Sequence, residues 1–219
     1  MIGIVDYGVG NLFSVQKAFE RIGVDAFVSS SIDELKRADG LILPGVGAFK
    51  DAMQRLHAQQ LVPFLTEYIQ ERPLLGICLG MQLLFEESEE NGLTKGLGFL
   101  PGRVVRIPNQ TTEGEKVKVP HMGWNALKVA SFAPDFQWVN RQYVYFVHSY
   151  YVQTDVPAIL VATTTYEVAI PSIVQKGNVT GMQFHPEKSG EVGQTLLKRF
   201  VQSCVRERTC DDISTLSSY

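Results

Sequence analysis

Apolar residues in the first half of the chain alternate between two patterns. Short continuous runs, Ile2 to Val5, Ala26 to Val28, Gly40 to Leu43 and Leu74 to Ile77, have the length and composition of buried strands. Between them apolar positions recur at steps of three and four, as at Leu12, Val15, Phe19 and Ile22, which puts them on one helical face. The order is strand, helix, strand, a helix opened by a capping box from Ser31 to Glu34, and strand. One or two helices to about Glu71 follow, then a strand and a helix from Leu79 to about Glu87. Such βα alternation predicts an α/β fold with a mostly parallel central sheet flanked by helices.

The second half is richer in strands, with runs at Arg103 to Ile107, Asn125 to Val129, Tyr143 to Val152, Ile159 to Thr165, Ile173 to Gln175 and Thr180 to Phe184. These predict mixed and antiparallel pairing, with a smaller sheet beside the central one. A last amphipathic helix carries Val192, Leu196, Phe200 and Cys204 on one stripe. No repeat or linker divides the chain, so one domain over residues 1–206 is expected, followed by a flexible C-terminal tail over 207–219.

Composition narrows the classes. A chain of 219 residues with 45% hydrophobic and 20% charged residues lies in the globular range. Lys and Arg number 20 against 23 Asp and Glu, a net charge of −3, which weighs against a nucleic-acid partner. The longest apolar runs fall far short of the ~20 residues of a membrane span, and the start, Met1 to Asp6, reads as a strand rather than a signal peptide. Three cysteines, Cys78, Cys204 and Cys210, without a CxxC pair, suggest a reduced cytoplasmic protein with no structural metal. Nothing in the sequence calls for a cofactor.

Chemistry enters at Gly76-Ile77-Cys78-Leu79-Gly80, a cysteine in G-x-C-x-G between a strand and a helical pattern. Small flanking residues permit the sharp turn that holds a nucleophile proud of a sheet. The start of a helix also favours the thiolate. A lone cysteine after an apolar run is usually inert core; glycines at both elbow positions reverse that reading. Such a thiol needs a base and an acceptor to orient it. Among the four histidines, His185 ends a predicted strand with Glu187 two residues on, in Phe184-His185-Pro186-Glu187. Pro44-Gly45-Val46-Gly47, after another parallel strand, is placed to direct a backbone N–H from Val46 or Gly47 toward an oxyanion, with Leu79 N–H as its partner donor.

Gly76 to Gln82 together with Phe184 to Glu187 resembles the class I, triad-type glutamine amidotransferase family. Asp6 to Asn11, Leu43 to Phe49, Pro120 to Asn125 and Tyr145 to Tyr151 extend the resemblance over nearly the whole chain, toward one glutaminase-subunit branch. The resemblance implies hydrolysis of glutamine at Cys78 through a γ-glutamyl thioester, with His185 as base and acid and Glu187 orienting it. It implies that Gly47, Gln82, Ser149 and Tyr150 hold the substrate. It implies a heterodimer with a cyclase on a (β/α)8 barrel that receives ammonia, contacted through Asn11, Pro120, Trp124 and Lys188.

Three other readings compete. Asp6 to Phe13 imitates a dinucleotide fingerprint, but Phe13 occupies the third glycine position, where its side chain would block helix–strand packing. A stand-alone cysteine hydrolase would turn over without a partner, and a pure scaffold would not need the Cys, His and Glu. His57 is expected at the surface, His121 and His148 are expected to line the interface or the site with no proton chemistry assigned to them, and Cys204 is expected in the core.

Overall fold

The computed structural model describes residues 1–110 and 113–216, with side chains described as far as Val205. In chain order the elements are β1 (Ile2–Val5), α1 (Leu12–Arg21), β2 (Ala26–Ser29), α2 (Ile32–Leu35), β3 (Gly40–Gly45), α3 (Phe49–Ala58), α4 (Leu61–Tyr68), β4 (Leu74–Cys78) and α5 (Leu79–Leu83). There follow β5 (Phe85–Ser88), β6 (Thr94–Lys95), β7 (Leu100–Arg106), β8 (His121–Ala126), β9 (Lys128–Val129), β10 (Tyr143–His148) and β11 (Tyr150–Gln153). The chain then runs through β12 (Leu160–Tyr166), β13 (Val168–Lys176), β14 (Val179–Met182), a 3-10 turn at Pro186–Lys188 and α6 (Gly190–Leu216). Of the expected tail over 207–219, residues 217–219 and all the side chains, that of Cys210 included, lie outside the described residues.

An eight-stranded sheet in the order β2-β1-β3-β4-β14-β13-β12-β9 forms the centre. Its strands from β2 to β14 are parallel, and β13, β12 and β9 continue it antiparallel. The two-residue alternation of side chains sorts its core onto two faces. Val5, Leu41 and Leu43 pack with Phe49 and Leu56 of α3 and Leu61 and Leu65 of α4. On the other face Ile4, Ile42, Leu75 and Ile77 pack with Val15 and Phe19 of α1 and Leu196, Leu197 and Phe200 of α6. Beside the large sheet lie a four-stranded sheet, β11-β7-β5-β6, and a two-stranded ribbon, β10-β8. Among the described residues no helix is long and apolar enough to cross a membrane.

Several local expectations are corrected. The helix after Cys78 ends at Leu83, and Phe85–Ser88 is a strand, because Phe85 and Ser88 are buried in pairing with β7 while Glu86 points outward. The run from Tyr143 to Val152 is two strands in different sheets, broken at Ser149. The run from Asn125 to Val129 likewise divides between the ribbon and the edge of the large sheet. Ser31 precedes α2 but makes no side-chain cap bond. Glu34 instead accepts from the Ser29 hydroxyl, which itself takes the Ser31 N–H. Phe13 is 68% exposed, so it does not stand between α1 and the sheet.

The site is positioned by one crowded crossing. Gly80 passes so close to β3 that a Cβ there would lie 1.8 Å from the Leu43 carbonyl oxygen. At Gly76 a Cβ would lie 2.6 Å from the Gly80 carbonyl oxygen. Backbone cannot yield as a flexible side chain does, so Gly80→Ala is expected to destabilise the fold by about 3 kcal/mol, at the upper end of overpacking effects. Urea denaturation measures this; an unchanged midpoint would show that the crossing has slack.

Candidate active site

Cys78 is the last residue of β4 and the N-cap of α5, with φ 54° and ψ −112°. A β-carbon makes positive φ unfavourable, and the turn persists because the flanking backbones leave the chain no other path. The conformation lifts Cys78 to the carboxyl end of the parallel strands, where ligands of open α/β sheets bind. Its Sγ lies 3.9 Å from the Val147 carbonyl oxygen and 3.9 Å from Nε2 of Gln183, which donates toward it. α5 has five residues rather than the expected two turns and more.

β14, the neighbour of β4, leads into His185 and the 186–188 turn. His185 Nδ1 donates to Glu187 Oε1 at 2.7 Å, both side chains being nearly inaccessible. Nε2, the other ring nitrogen, is buried with no hydrogen-bond partner among the described residues. Burial opposes the imidazolium, but contact with the Cys78 sulfur and the Glu187 carboxylate outweighs it and raises the pKa to about 10. Ser189 fixes the turn: its hydroxyl donates to the His185 carbonyl and accepts the Tyr145 N–H of β10.

A cavity of about 350 Å³ opens above Cys78. Its walls include Val46, Gly47, Cys78, Leu79, Gln82, Ser149, Tyr150 and His185, so the sequence-expected nucleophile, base, oxyanion donors and substrate-holding residues converge on one space. Pro120 and Lys188 also line it. Leu79, first in α5, has a backbone N–H with no partner one turn back. Ahead of Val46 the chain is anchored, since the buried Tyr7 hydroxyl donates to the Pro44 carbonyl at 2.7 Å. Burial, with the Cys78 charge adding to it, pushes the Tyr7 phenol well above its ordinary pKa. Beyond Pro44, Val46 is 44% exposed and Gly47 has φ +98°, a conformation that favours glycine.

Two wall or support residues were missed. Glu90 lines the cavity, its carboxylate accepting the Phe49 N–H at 2.7 Å at the start of α3. It stands in an acidic run with Glu86, Glu87 and Glu89, and nothing in sequence distinguishes it. Gln183, wholly buried, accepts from Gln82 at 3.0 Å while reaching toward Cys78. Its position two residues before His185 is the one available hint. His121 and His148 form a buried pair beside the cavity. Of the expected partner-facing residues, Asn11 caps α1 by accepting the Ser14 N–H, Trp124 is 53% exposed, and Lys188 is exposed at the rim. Pro120 is half-buried and follows a cis peptide bond. Cys204 is buried as expected, and His57 is exposed.

Residues 4–204 match the family model described as glutamine amidotransferase class-I. The chain is 58% identical over 201 residues to the imidazole glycerol phosphate synthase subunit HisH of Geobacillus sp. (strain WCH70), covering 91% of this chain and 95% of that one. It is 51% identical over 209 residues to the protein of the same name from Bacillus subtilis (strain 168), covering 95% and 99%. Among solved structures, a glutamine amidotransferase superposes with a TM-score of 0.72 at 19% identity, covering 93% and 98% of the two chains. A chain of PurLQS from Thermotoga maritima superposes with a TM-score of 0.69 at 18% identity, covering 92% and 97%. At these identities the superpositions speak for the fold alone.

The raised pKa of His185 sets a sign for pH dependence. Its folded pKa of about 10 exceeds the ordinary imidazole value of about 6.5, so its stabilising contacts are complete below about pH 6.5 and fade as pH rises through about 10. The melting-temperature difference between the wild type and His185→Gln should therefore narrow across that interval. A difference that widens with rising pH would contradict the charged pairing.

Proposed function

Because the chain belongs to the class I glutamine amidotransferase family, we propose that it is the glutaminase subunit of an imidazole glycerol phosphate synthase. It hydrolyses glutamine to glutamate and ammonia, and the ammonia passes to a cyclase partner. That partner makes imidazole glycerol phosphate and aminoimidazole carboxamide ribonucleotide in histidine biosynthesis. The observation that carries the mechanism is the convergence of Cys78, His185 and the Leu79 N–H on one cavity. Residues 1–206 act as one amidotransferase domain, working in the cytoplasm, and the partner is a (β/α)8 barrel in a heterodimer.

The chemistry follows from where protons are held. His185 takes the proton of Cys78 as general base, and attack proceeds from the thiolate so formed. Sγ adds to the carboxamide carbon, and the N–H of Leu79 with one from the Val46–Gly47 backbone receives the oxyanion. His185 then protonates the leaving nitrogen from Nε2 as the carbon–nitrogen bond breaks, which releases ammonia and leaves the thioester. A water gives a proton to His185 and attacks that thioester, releasing glutamate and regenerating the thiolate and imidazolium. Glu187 holds the Nδ1–H tautomer throughout, which keeps Nε2 facing the cavity.

Substrate selection uses the walls. Both bonds from Gln82 Nε2 are spent on Tyr150 O and Gln183 Oε1, so its oxygen is the group left for a ligand. Glu90 supplies a carboxylate for the α-ammonium of glutamine, and the backbone at Ser149 and Tyr150 supports the amino-acid end. Ammonia is mostly protonated in neutral water, so a docked acceptor is needed for efficient transfer. Pro120 and Lys188, which line the cavity, are assigned to that docking together with Asn11 and the exposed Trp124.

With the cyclase present, Cys78→Ala should abolish glutamine-dependent synthesis and leave ammonia-dependent synthesis intact. A glutamine-analogue electrophile should label Cys78 in the wild type; labelling of Cys204 instead would refute the assignment. Glu90→Gln keeps an acceptor for Phe49 N–H but removes the charge, and the KM for glutamine should rise about 10-fold or more, as for loss of a charge-assisted bond. Steady-state kinetics with glutamine as the varied substrate measures it, and an unchanged KM would remove Glu90 from the substrate site.

A further inference from the structure

β8 and β10 place His121 directly opposite His148 in their antiparallel register. Both are buried, and His121 Nδ1 lies 3.0 Å from His148 Nε2. The other nitrogen of His148, Nδ1, lies 2.8 Å from the Tyr150 carbonyl oxygen. A carbonyl only accepts, so Nδ1 of His148 carries a proton. Burial, reinforced by the two neighbouring imidazoles and only partly offset by the Tyr150 bond, lowers the pKa of His148 to about 3 and keeps the ring neutral. Its Nε2 therefore presents a lone pair, and His121 donates to it from Nδ1. The remaining nitrogen of His121, Nε2, lies 2.9 Å from the Asn125 side-chain oxygen, and a half-turn of that amide, which exchanges its oxygen and nitrogen, sets an N–H against the Nε2 lone pair. The His121 ring cannot pivot, because it is stacked between Phe146 and Tyr166 at 4.8 and 4.0 Å.

This directed chain ends on a single atom. The Tyr150 carbonyl oxygen also accepts from Gln82 Nε2 at 2.9 Å. It is thus held from both sides, by the helix that follows Cys78 and by the histidine pair. We propose that His148 and His121 are a positioning couple that fixes the Ser149–Tyr150 backbone for the amino-acid end of glutamine, and so sets affinity for the substrate rather than the rate of its chemistry. Neither ring exchanges a proton with the reacting atoms. The couple deepens the glutaminase reading and rests on it.

The test uses the complex with the cyclase, L-glutamine as the varied substrate, and the melting temperature of each variant. His148→Leu removes the donor to Tyr150 and should raise KM about 10-fold, equal to about 1.4 kcal/mol, with kcat within about 2-fold. His148→Asn places an amide N–H near the Nδ1 position and should recover most of the lost affinity. His121→Phe keeps the aromatic stack, removes the donor to His148, and should raise KM in the same direction by less. It decides the matter where His148→Leu does not fold. A fall in kcat with KM intact, equal KM in the Leu and Asn variants, or a wild-type KM in His121→Phe would each overturn the couple. Absence of glutamine turnover by the wild-type complex would instead overturn the glutaminase reading itself.

Discussion

The close passage of Gly80 across β3 is the constraint on which the site depends. With no side chain at Gly76 or Gly80, the chain leaves β4, turns at Cys78 and enters α5 within the thickness of one sheet layer. Cys78 bears positive φ because the residues on either side have already used the available space. Everything else is referred to that sulfur. β3, held against the same crossing, brings Val46 and Gly47 to it from one side, and β14 brings His185 from the other. A cysteine protruding from a looser turn would need its base and donors positioned separately.

Two histidines on the cavity wall show how partners, not burial alone, decide charge. Both are removed from water, which disfavours the imidazolium in each. His185 faces a sulfur and a carboxylate, and these anionic partners lift its pKa to about 10. His148 faces a carbonyl and two other imidazoles, and its pKa falls to about 3. The same residue type is therefore held as an imidazolium in one place and as a neutral two-ended hydrogen-bonding bridge in the other.

The strand-to-helix turn at Cys78, the His185–Glu187 pairing and the parallel strands were legible in the sequence because each leaves a local mark: glycines at fixed offsets, a His-Pro-Glu run, apolar runs of strand length. What was not legible depends on pairing across the chain. Tyr143 to Val152 has one uninterrupted apolar character, yet Ser149 divides it because its two ends find partners in β8 and β7. Phe85 to Ser88 continues a helical pattern but is drawn into a sheet by β7. Glu90, Gln183, His121 and His148 gain meaning only from neighbours distant in sequence, such as Phe49 for Glu90 and Cys78 for Gln183. Composition and spacing hold no record of such neighbours.

The β8–β10 ribbon ties the proposed docking face to the proposed support of the substrate wall. A two-stranded ribbon is marginal by itself, so it must be held through a face. Its inner face does this with His121, Phe146 and His148, Phe146 meeting Phe184 edge-on at 5.7 Å. Its outer face is left open, with Met122 and Tyr143 each 60% exposed and Trp124 53% exposed beside Tyr145. Side chains alternate along each strand, so a partner pressing on Trp124 acts on the backbone that carries His121 and Asn125 inward. That backbone holds the chain of hydrogen bonds ending on Tyr150. The proposed docking face and the histidine pair proposed to brace the Ser149–Tyr150 backbone therefore lie on opposite sides of the same two strands.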